Sequence, residues 1–313
     1  MTSTARRPLV VAHRGYSAVA PENTLAAFEA ALRAGADLLE LDVHLDAAGV
    51  PVVLHDGNLE RTTDVTGPVG SAPVQRLREA DAGSWFSPAF AGQRVPTLAA
   101  VAELTARHGG AGLLVELKGG WSTAGAARVA DVVRAAGLGA ASVLQSFERA
   151  TVAALRDAAP DLRRALLVLH PGEDLTGAEL TARYVEAMRD PFTALCSAPG
   201  QARARAEEAR AELGVVACNP FAGAVAARPE VVAEYHAAGV ATHPWTVDDP
   251  VLWAELVRAG VDGIITNDPA RLRGWLDARA EGPTAQDVPP LERAELVRRA
   301  LPAPRRGRRL VAG

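Results

Sequence analysis

The chain has 313 residues, of which 49% are apolar, 22% charged and 4% aromatic, so one large α/β core is within reach and global disorder is excluded. A formal net charge of −4 argues against nucleic acid as the main partner, because backbone binding needs a basic face. Two cysteines, Cys196 and Cys218, without CxxC spacing argue against a disulfide framework, and no apolar run is long enough to cross a bilayer.

The first element expected is a strand, Leu9–His13. Its apolar part is too short for a signal-peptide core, so a soluble, cytoplasmic protein is expected. The strand ends in His13-Arg14-Gly15. In a parallel barrel, reactive groups sit at the C-terminal strand ends. There the histidine can move a proton near neutral pH, and the arginine can clamp an anion with two parallel donors. Taken alone, the tripeptide is equally a core histidine beside a surface arginine.

A helix over Glu22–Ala34, closed by Gly35, leads to a strand over Leu38–Leu45. Strand alternation puts Glu40, Asp42 and His44 on one face and Leu41 and Val43 on the other. Adjacent carboxylates inside a barrel need a cation or protons to neutralise them. A strand over Val50–His55 follows after only Asp46-Ala47-Ala48-Gly49, too short for a crossover helix, so an antiparallel hairpin is predicted. With Ala47-Ala48 as the loop, Asp42 pairs with Val53 and Glu40 with His55, which brings His55 beside the acids.

Residues 57–98 are rich in Gly, Pro, Ser and Thr and are read as a small inserted subdomain over the barrel mouth. Helix patterns at Thr97–His108, Ala124–Ala136, Glu148–Ala158, Ala202–Leu213, Pro229–Ala238 and Pro250–Ala259 then alternate with strands. Those strands are Gly112–Lys118, Ser142–Phe147, Ala165–Leu169, Val215–Asn219, Val240–Thr246 and Asp262–Thr266. Such alternation means a parallel sheet, and no GxGxxG or P-loop favours an open one. An α/β fold of (β/α)8 TIM-barrel type is therefore expected.

On the strand at Gly112–Lys118, Glu116 and Lys118 share a face, adding a third acid and a point charge for an anion. Three carboxylates without cysteine make a hard-oxygen site, suited to Mg2+ or Ca2+ more than to Zn2+. Trp245 offers an apolar substrate wall or, equally, a satisfied core indole. His44 and His243 are placed nearer the mouth, and His108, His170 and His236 are read as structural or solvated. Residues 278–313 form a Pro/Arg-rich tail, with one short helix at Leu291–Ala300 and the basic cluster Arg305-Arg306-Gly307-Arg308-Arg309, read as a loosely docked extension to a domain over 1–277.

The ordered motifs His13-Arg14-Gly15, Pro21-Glu22-Asn23-Thr24, Glu40-Leu41-Asp42-Val43, His55-Asp56, Arg61-Thr62-Thr63, Glu116-Leu117-Lys118, Gln145-Ser146-Phe147 and Trp245-Thr246-Val247 resemble the glycerophosphodiester phosphodiesterase family from about Val10 to Leu272. The resemblance implies a TIM barrel with an insertion at 57–98 after the second strand region. It implies His13 and His55 as an acid–base pair, Glu40, Asp42 and Glu116 as ligands of one divalent cation, Arg14 and Lys118 on the phosphate, and Trp245 on the alcohol or glycerol side. The implied reaction cleaves a small glycerophosphodiester to glycerol 3-phosphate and an alcohol, with no stable membrane insertion. The rival readings are a lysophospholipase D or phosphoinositide-type phosphodiesterase on the same barrel, and a non-catalytic binder of an anionic metabolite.

Overall fold

The computed structural model describes residues 7–173, 175, 177–189, 195, 197–281 and 292–301. Eight strands are assigned: β1 (Leu9–His13), β2 (Leu38–Leu45), β3 (Pro51–Val53), β4 (Gly112–Leu117), β5 (Val143–Ser146), β6 (Arg163–Val168), β7 (Ala217–Pro220) and β8 (Gly263–Thr266). Seven of them lie parallel in the order β7-β6-β5-β4-β2-β1-β8, and β3 pairs antiparallel with β2.

The stretch 241–247 closes the ring between β7 and β8. On one side Ala241 N–H donates to Val216 O (2.9 Å) and Trp245 N–H to Pro220 O (3.1 Å). On the other, Asp262 N–H donates to Thr242 O (3.0 Å) and Val247 N–H to Ile265 O (2.9 Å). The sequence reads this stretch as a strand over Val240–Thr246. It holds the strand's place but makes only isolated bridges, and Pro244 has no N–H to give to a ladder. The result is a TIM-type barrel of eight parallel positions.

Each barrel strand is buried on both sides, as parallel strands covered by helices must be. Along β2, Leu39, Leu41 and Val43 face outward and pack with Phe28, Leu98 and Val101 in the largest apolar cluster. Those partners belong to α1 (Leu25–Arg33) and α3 (Leu98–His108), capped by the Thr24 and Thr97 hydroxyls, which accept from Ala27 and Ala100 N–H. Inward, Val11, Leu38, Leu114, Val143, Ala165, Ala217 and Ile265 fill the lower barrel. Truncating one such buried leucine to alanine costs about 2–5 kcal/mol. The polar inward residues lie above this plug, at the C-terminal strand ends.

The outer helices continue with α2 (Val74–Glu79), α4 (Thr123–Ala135), α5 (Arg149–Ala158), α6 (Gly177–Arg189), α7 (Gln201–Leu213), α8 (Ala222–Ala227), α9 (Glu230–Ala237), α10 (Pro250–Ala259), α11 (Pro269–Glu281) and α12 (Arg293–Ala300). Sequence periodicity does not single out α2, α6, α8 or α11. In the 57–98 stretch, Leu59, Val69, Leu77 and Val95 form a separate apolar cluster with Val52 and Leu54. From the C-terminal segment, Leu296, Val297 and Ala300 of α12 are buried among Ala222, Val225 and Ala226 of α8. The basic cluster Arg305–Arg309 lies outside the described residues.

The β2–β3 hairpin corrects the expected register by one residue. Val43 pairs with Val53, His44 with Val52 and Leu45 with Pro51. Asp46 N–H donates to Val50 O (3.0 Å), so the loop is Ala47-Ala48-Gly49 rather than two alanines. Gly49 at φ 78° makes the three-residue turn possible, and Asp46 Oδ1 accepts from Ala48 and Val50 N–H. His55 is therefore not the ladder partner of Glu40.

Candidate active site

The neighbouring strands β2 and β4 bring Glu40, Asp42 and Glu116 together. One oxygen from each lies within 4.8 Å of the others, and all three side chains are buried. The strands dictate this: His13 is level with Glu40, Asp42 with Glu116, and Glu116 with Gln145. The charged half of the mouth pocket is lined by His13, Arg14, Glu40, His55, Glu116 and Lys118. Its other half is apolar, with Phe147, Leu167, Trp245 and Ile265. Every residue singled out for the site in the sequence reaches it; Asp42, the one not on this pocket wall, is held in the same acidic cluster.

Two cations neutralise part of the cluster. Lys118 Nζ lies 2.9 Å from Asp42 Oδ1 and 2.7 Å from Glu116 Oε1. Arg14 Nε lies 3.3 Å from Asp42 Oδ2, while its backbone N–H donates to Glu40 Oε2 at 3.0 Å. Burial pushes the Asp42 carboxyl up, but Lys118 and Arg14 outweigh it and hold it well below the usual range. Glu40 goes the other way: burial, then Asp42 and Glu116, push it well above the ordinary value. Glu116 is also raised, by burial first and by Asp42. The cluster thus has carboxylate charge that its own cations leave uncompensated, and its donors are all oxygen. That fits a divalent cation.

Arg14 is held in the left-handed region at φ 56°, with Gly15 next at φ 82°. A Cβ on Gly15 would lie 2.6 Å from the Ala27 carbonyl carbon, so only glycine lets α1 approach this turn. Asn23, also left-handed at φ 59°, donates its N–H to Arg14 O and its Nδ2 to Asp42 Oδ2 (2.8 Å). The turn that exposes Arg14 is pinned from both sides.

Each histidine has a partner that fixes its ring. Asn267 Nδ2 donates to Asp248 Oδ2 (2.6 Å), so Oδ1 is the atom facing His13 Nδ1 at 2.7 Å. His13 therefore carries its proton on Nδ1 and keeps an Nε2 lone pair. Burial and the Arg14 charge push this ring down to about 3, so it is neutral. His55 Nδ1 meets Asp56 Oδ1 at 2.6 Å, and the His55 carbonyl meets His44 Nε2 at 3.2 Å. Arg61 from the insertion grips Asp56 (2.6 Å) and Glu22 (2.8 Å), and Glu22 holds Arg14 (2.8 Å). Glu22 is lowered to about 2, because Arg61 and Arg14 outweigh its burial. One alternating-charge chain thus runs from Arg14 to His55.

Sequence reading gives no role to Glu22, Asn23, Asp56, Arg61, Gln145, Asn219 or Asn267. The motifs Pro21-Glu22-Asn23-Thr24 and Arg61-Thr62-Thr63 were the available signal. His243 corrects the expectation that it lies near the mouth: it borders the cavity on the barrel floor, two residues below Trp245 on the same inward face. Trp245 donates Nε1–H to Asn219 O (2.8 Å) and packs edge-on to Phe147 at 5.5 Å, so it is both a satisfied indole and a pocket wall. Cys218 is buried.

Fold and site define a class, hydrolases that cleave phosphoric diesters at the mouth of a parallel barrel. Residues 13–271 match the profile of the glycerophosphoryl diester phosphodiesterase family. A glycerophosphodiester phosphodiesterase of Caldanaerobacter subterraneus subsp. tengcongensis is 32% identical over 270 residues, covering 85% of this chain and 96% of that protein. The crystal structure of a glycerophosphodiester phosphodiesterase from Agrobacterium tumefaciens is similar at TM-score 0.66 and 29% identity, over 85% of this chain and 99% of that one. A phosphodiesterase of Oleispira antarctica, solved with its product sn-glycerol-3-phosphate, is similar at TM-score 0.71 and 26% identity, over 86% of this chain and 97% of that one. The chain belongs to the glycerophosphoryl diester phosphodiesterase family. No described helix is long and apolar enough to cross a membrane.

Proposed function

We propose that the chain hydrolyses glycerophosphodiesters, such as glycerophosphocholine or glycerophosphoethanolamine, to glycerol 3-phosphate and an alcohol, with His13 and His55 as the proton carriers. The observation that carries this reading is the meeting of a cluster of three buried carboxylates with two cations and two oriented imidazoles around one pocket. Glu40, Asp42 and Glu116 would hold one divalent cation, Mg2+ or Ca2+. When bound, the cation supplies Lewis-acid stabilisation of charge on the phosphate oxygens.

The chain's own groups do the rest. Arg14 and Lys118 attract the diester anion and offset charge that grows as the phosphorus is attacked. His13 Nε2 has the lone pair to take a proton from the attacking oxygen, which is either water, giving glycerol 3-phosphate directly, or the neighbouring glycerol hydroxyl, giving a cyclic phosphate that a water then opens to glycerol 3-phosphate. His55, with Asp56 behind its Nδ1–H, delivers a proton to the departing alkoxide. Trp245 and Phe147 shape the organic side and keep bulk water off it.

The test is turnover of glycerophosphocholine, read as free glycerol 3-phosphate, with Mg2+, Ca2+ or EDTA. His13→Ala and His55→Ala each lose about a hundredfold or more in kcat. Near-wild-type turnover by either variant, or full activity after exhaustive chelation, overturns the reading.

A further inference from the structure

A chain of neutral amides runs down the barrel from the pocket to its floor. Gln145, level with Glu116, accepts from Asn219 Nδ2 at its Oε1 (2.8 Å). Asn219 Oδ1 in turn receives the His243 backbone N–H (3.2 Å) and faces His243 Nδ1 (2.9 Å). All three side chains are at least nine-tenths buried.

One backbone group settles every orientation. A backbone N–H can only donate, so the Asn219 atom it meets is the oxygen. The other end of Asn219 is then the NH2, and it points at the Gln145 oxygen. Gln145 therefore has its own NH2 left over, and no described group accepts from it. The same logic puts a proton on His243 Nδ1. Burial pushes that ring down to about 4, which keeps it neutral. His243 is itself clamped: a Cβ on Gly263 would lie 2.5 Å from its Cδ2.

Gln145 stands where the two halves of the pocket meet. Glu116 and Lys118 lie to one side, and Phe147, Leu167 and Trp245 to the other. Arg14 and Lys118 already serve the anion. A neutral donor at the boundary suits a neutral oxygen next to the phosphate.

We propose that Gln145 is a specificity-determining residue that donates to a hydroxyl of the glyceryl group, with Asn219 and His243 as positioning residues that hold its NH2 toward the substrate. This rests on the glycerophosphodiester reading. A pocket amide that bonds a hydroxyl discriminates strongly against substrates lacking one, because the amide is then left unpaired.

The experiment compares kcat/KM for glycerophosphocholine with that for bis(4-nitrophenyl) phosphate, a diester without a hydroxyl. Gln145→Met keeps length but removes the donor, and it lowers the ratio of the two by about tenfold or more, mainly through KM for glycerophosphocholine. Asn219→Ala leaves the backbone carbonyl that holds Trp245 and lowers the ratio in the same direction. In the Gln145→Met background it lowers the ratio no further. Turnover of the nitrophenyl diester reports folding, and either variant that folds decides the matter. An unchanged ratio in a folded variant, or additive losses in the double variant, overturns the inference. A wild-type protein that cleaves the nitrophenyl diester but not glycerophosphocholine overturns the functional reading instead.

Discussion

His55 Nδ1 lies 2.6 Å from Asp56 Oδ1, a contact between adjacent residues that turns the ring toward the acidic cluster. Asp56 is in turn locked by Arg61, and its carboxyl is held well below the usual range by His55 and then Arg61. A carboxylate behind a histidine fixes its tautomer and offsets the charge it gains with a proton. Asp56→Asn keeps the shape but loses the charge. The expected outcome is a kcat lower by roughly tenfold to a hundredfold with KM little changed, measured on glycerophosphocholine. Equal kcat in wild type and variant would show that the pair is structural only.

Glu40→Gln is expected to separate stability from activity. Glu40 is buried beside Asp42 and Glu116, and its carboxyl is pushed far up by burial and by those two acids. Replacing it by the neutral amide removes like-charge repulsion, so metal-free protein gains about 1 kcal/mol or more. The same change removes a candidate ligand, so turnover falls by about a hundredfold or more and Mg2+ or Ca2+ no longer raises the melting temperature. Thermal melts with and without the ion, beside an activity assay, check both halves. A variant that melts lower without metal contradicts the electrostatic account.

The site was legible in the sequence where chemistry rode on a strict local period. Glu40 and Asp42 alternate with Leu39, Leu41 and Val43 on a strand buried on both faces, so their common direction followed from spacing alone. The hairpin register was not legible, because it turned on whether Gly49 belongs to the loop, a matter of one backbone angle. Alternation also gives the face of a residue but not its height in the barrel, which is why the sequence puts His243 nearer the mouth whereas it lies by the floor. The Glu22–Arg61 ion pair and the Gln145–Asn219 amides join residues 39 and 74 positions apart. No sequence periodicity marks such pairs; only the closed barrel and the insertion bring them together.

The C-terminal helix α12 is expected to bear on stability. Leu296 and Val297 are buried against α8, and Leu301 packs against the apolar cluster of Leu169, Leu195, Phe221 and Ala224. Leu296→Ala leaves a cavity in a packed interface, and a loss of about 2–3 kcal/mol is expected in urea unfolding. A loosely docked helix would give a change within about 0.5 kcal/mol, the range of surface substitutions.

Between pH 7 and pH 5 two buried histidines weaken the fold as acid is added, while Glu40 and Glu116, whose raised carboxyls bind protons more readily in the folded chain, act the other way. His243 is lowered to about 4 by burial, against the facing charges Asp262, which raises it, and Arg163, which lowers it. His13 is lowered to about 3 by burial and Arg14. A histidine whose folded value lies below its unfolded value of about 6.5 binds its proton more readily in the unfolded chain. Its contribution is complete above that unfolded value and is lost as pH falls toward the folded one. From pH 7 to pH 5 each ring costs about 2 kcal/mol. The lowered carboxylates Glu22 and Asp56 act further down, below their unfolded range near pH 4. His243→Gln is therefore expected to shrink the stability difference between pH 7 and pH 5 by about 2 kcal/mol, read from urea unfolding at both pH values. An undiminished difference would mean that His243 is already protonated, or solvated, in the folded barrel.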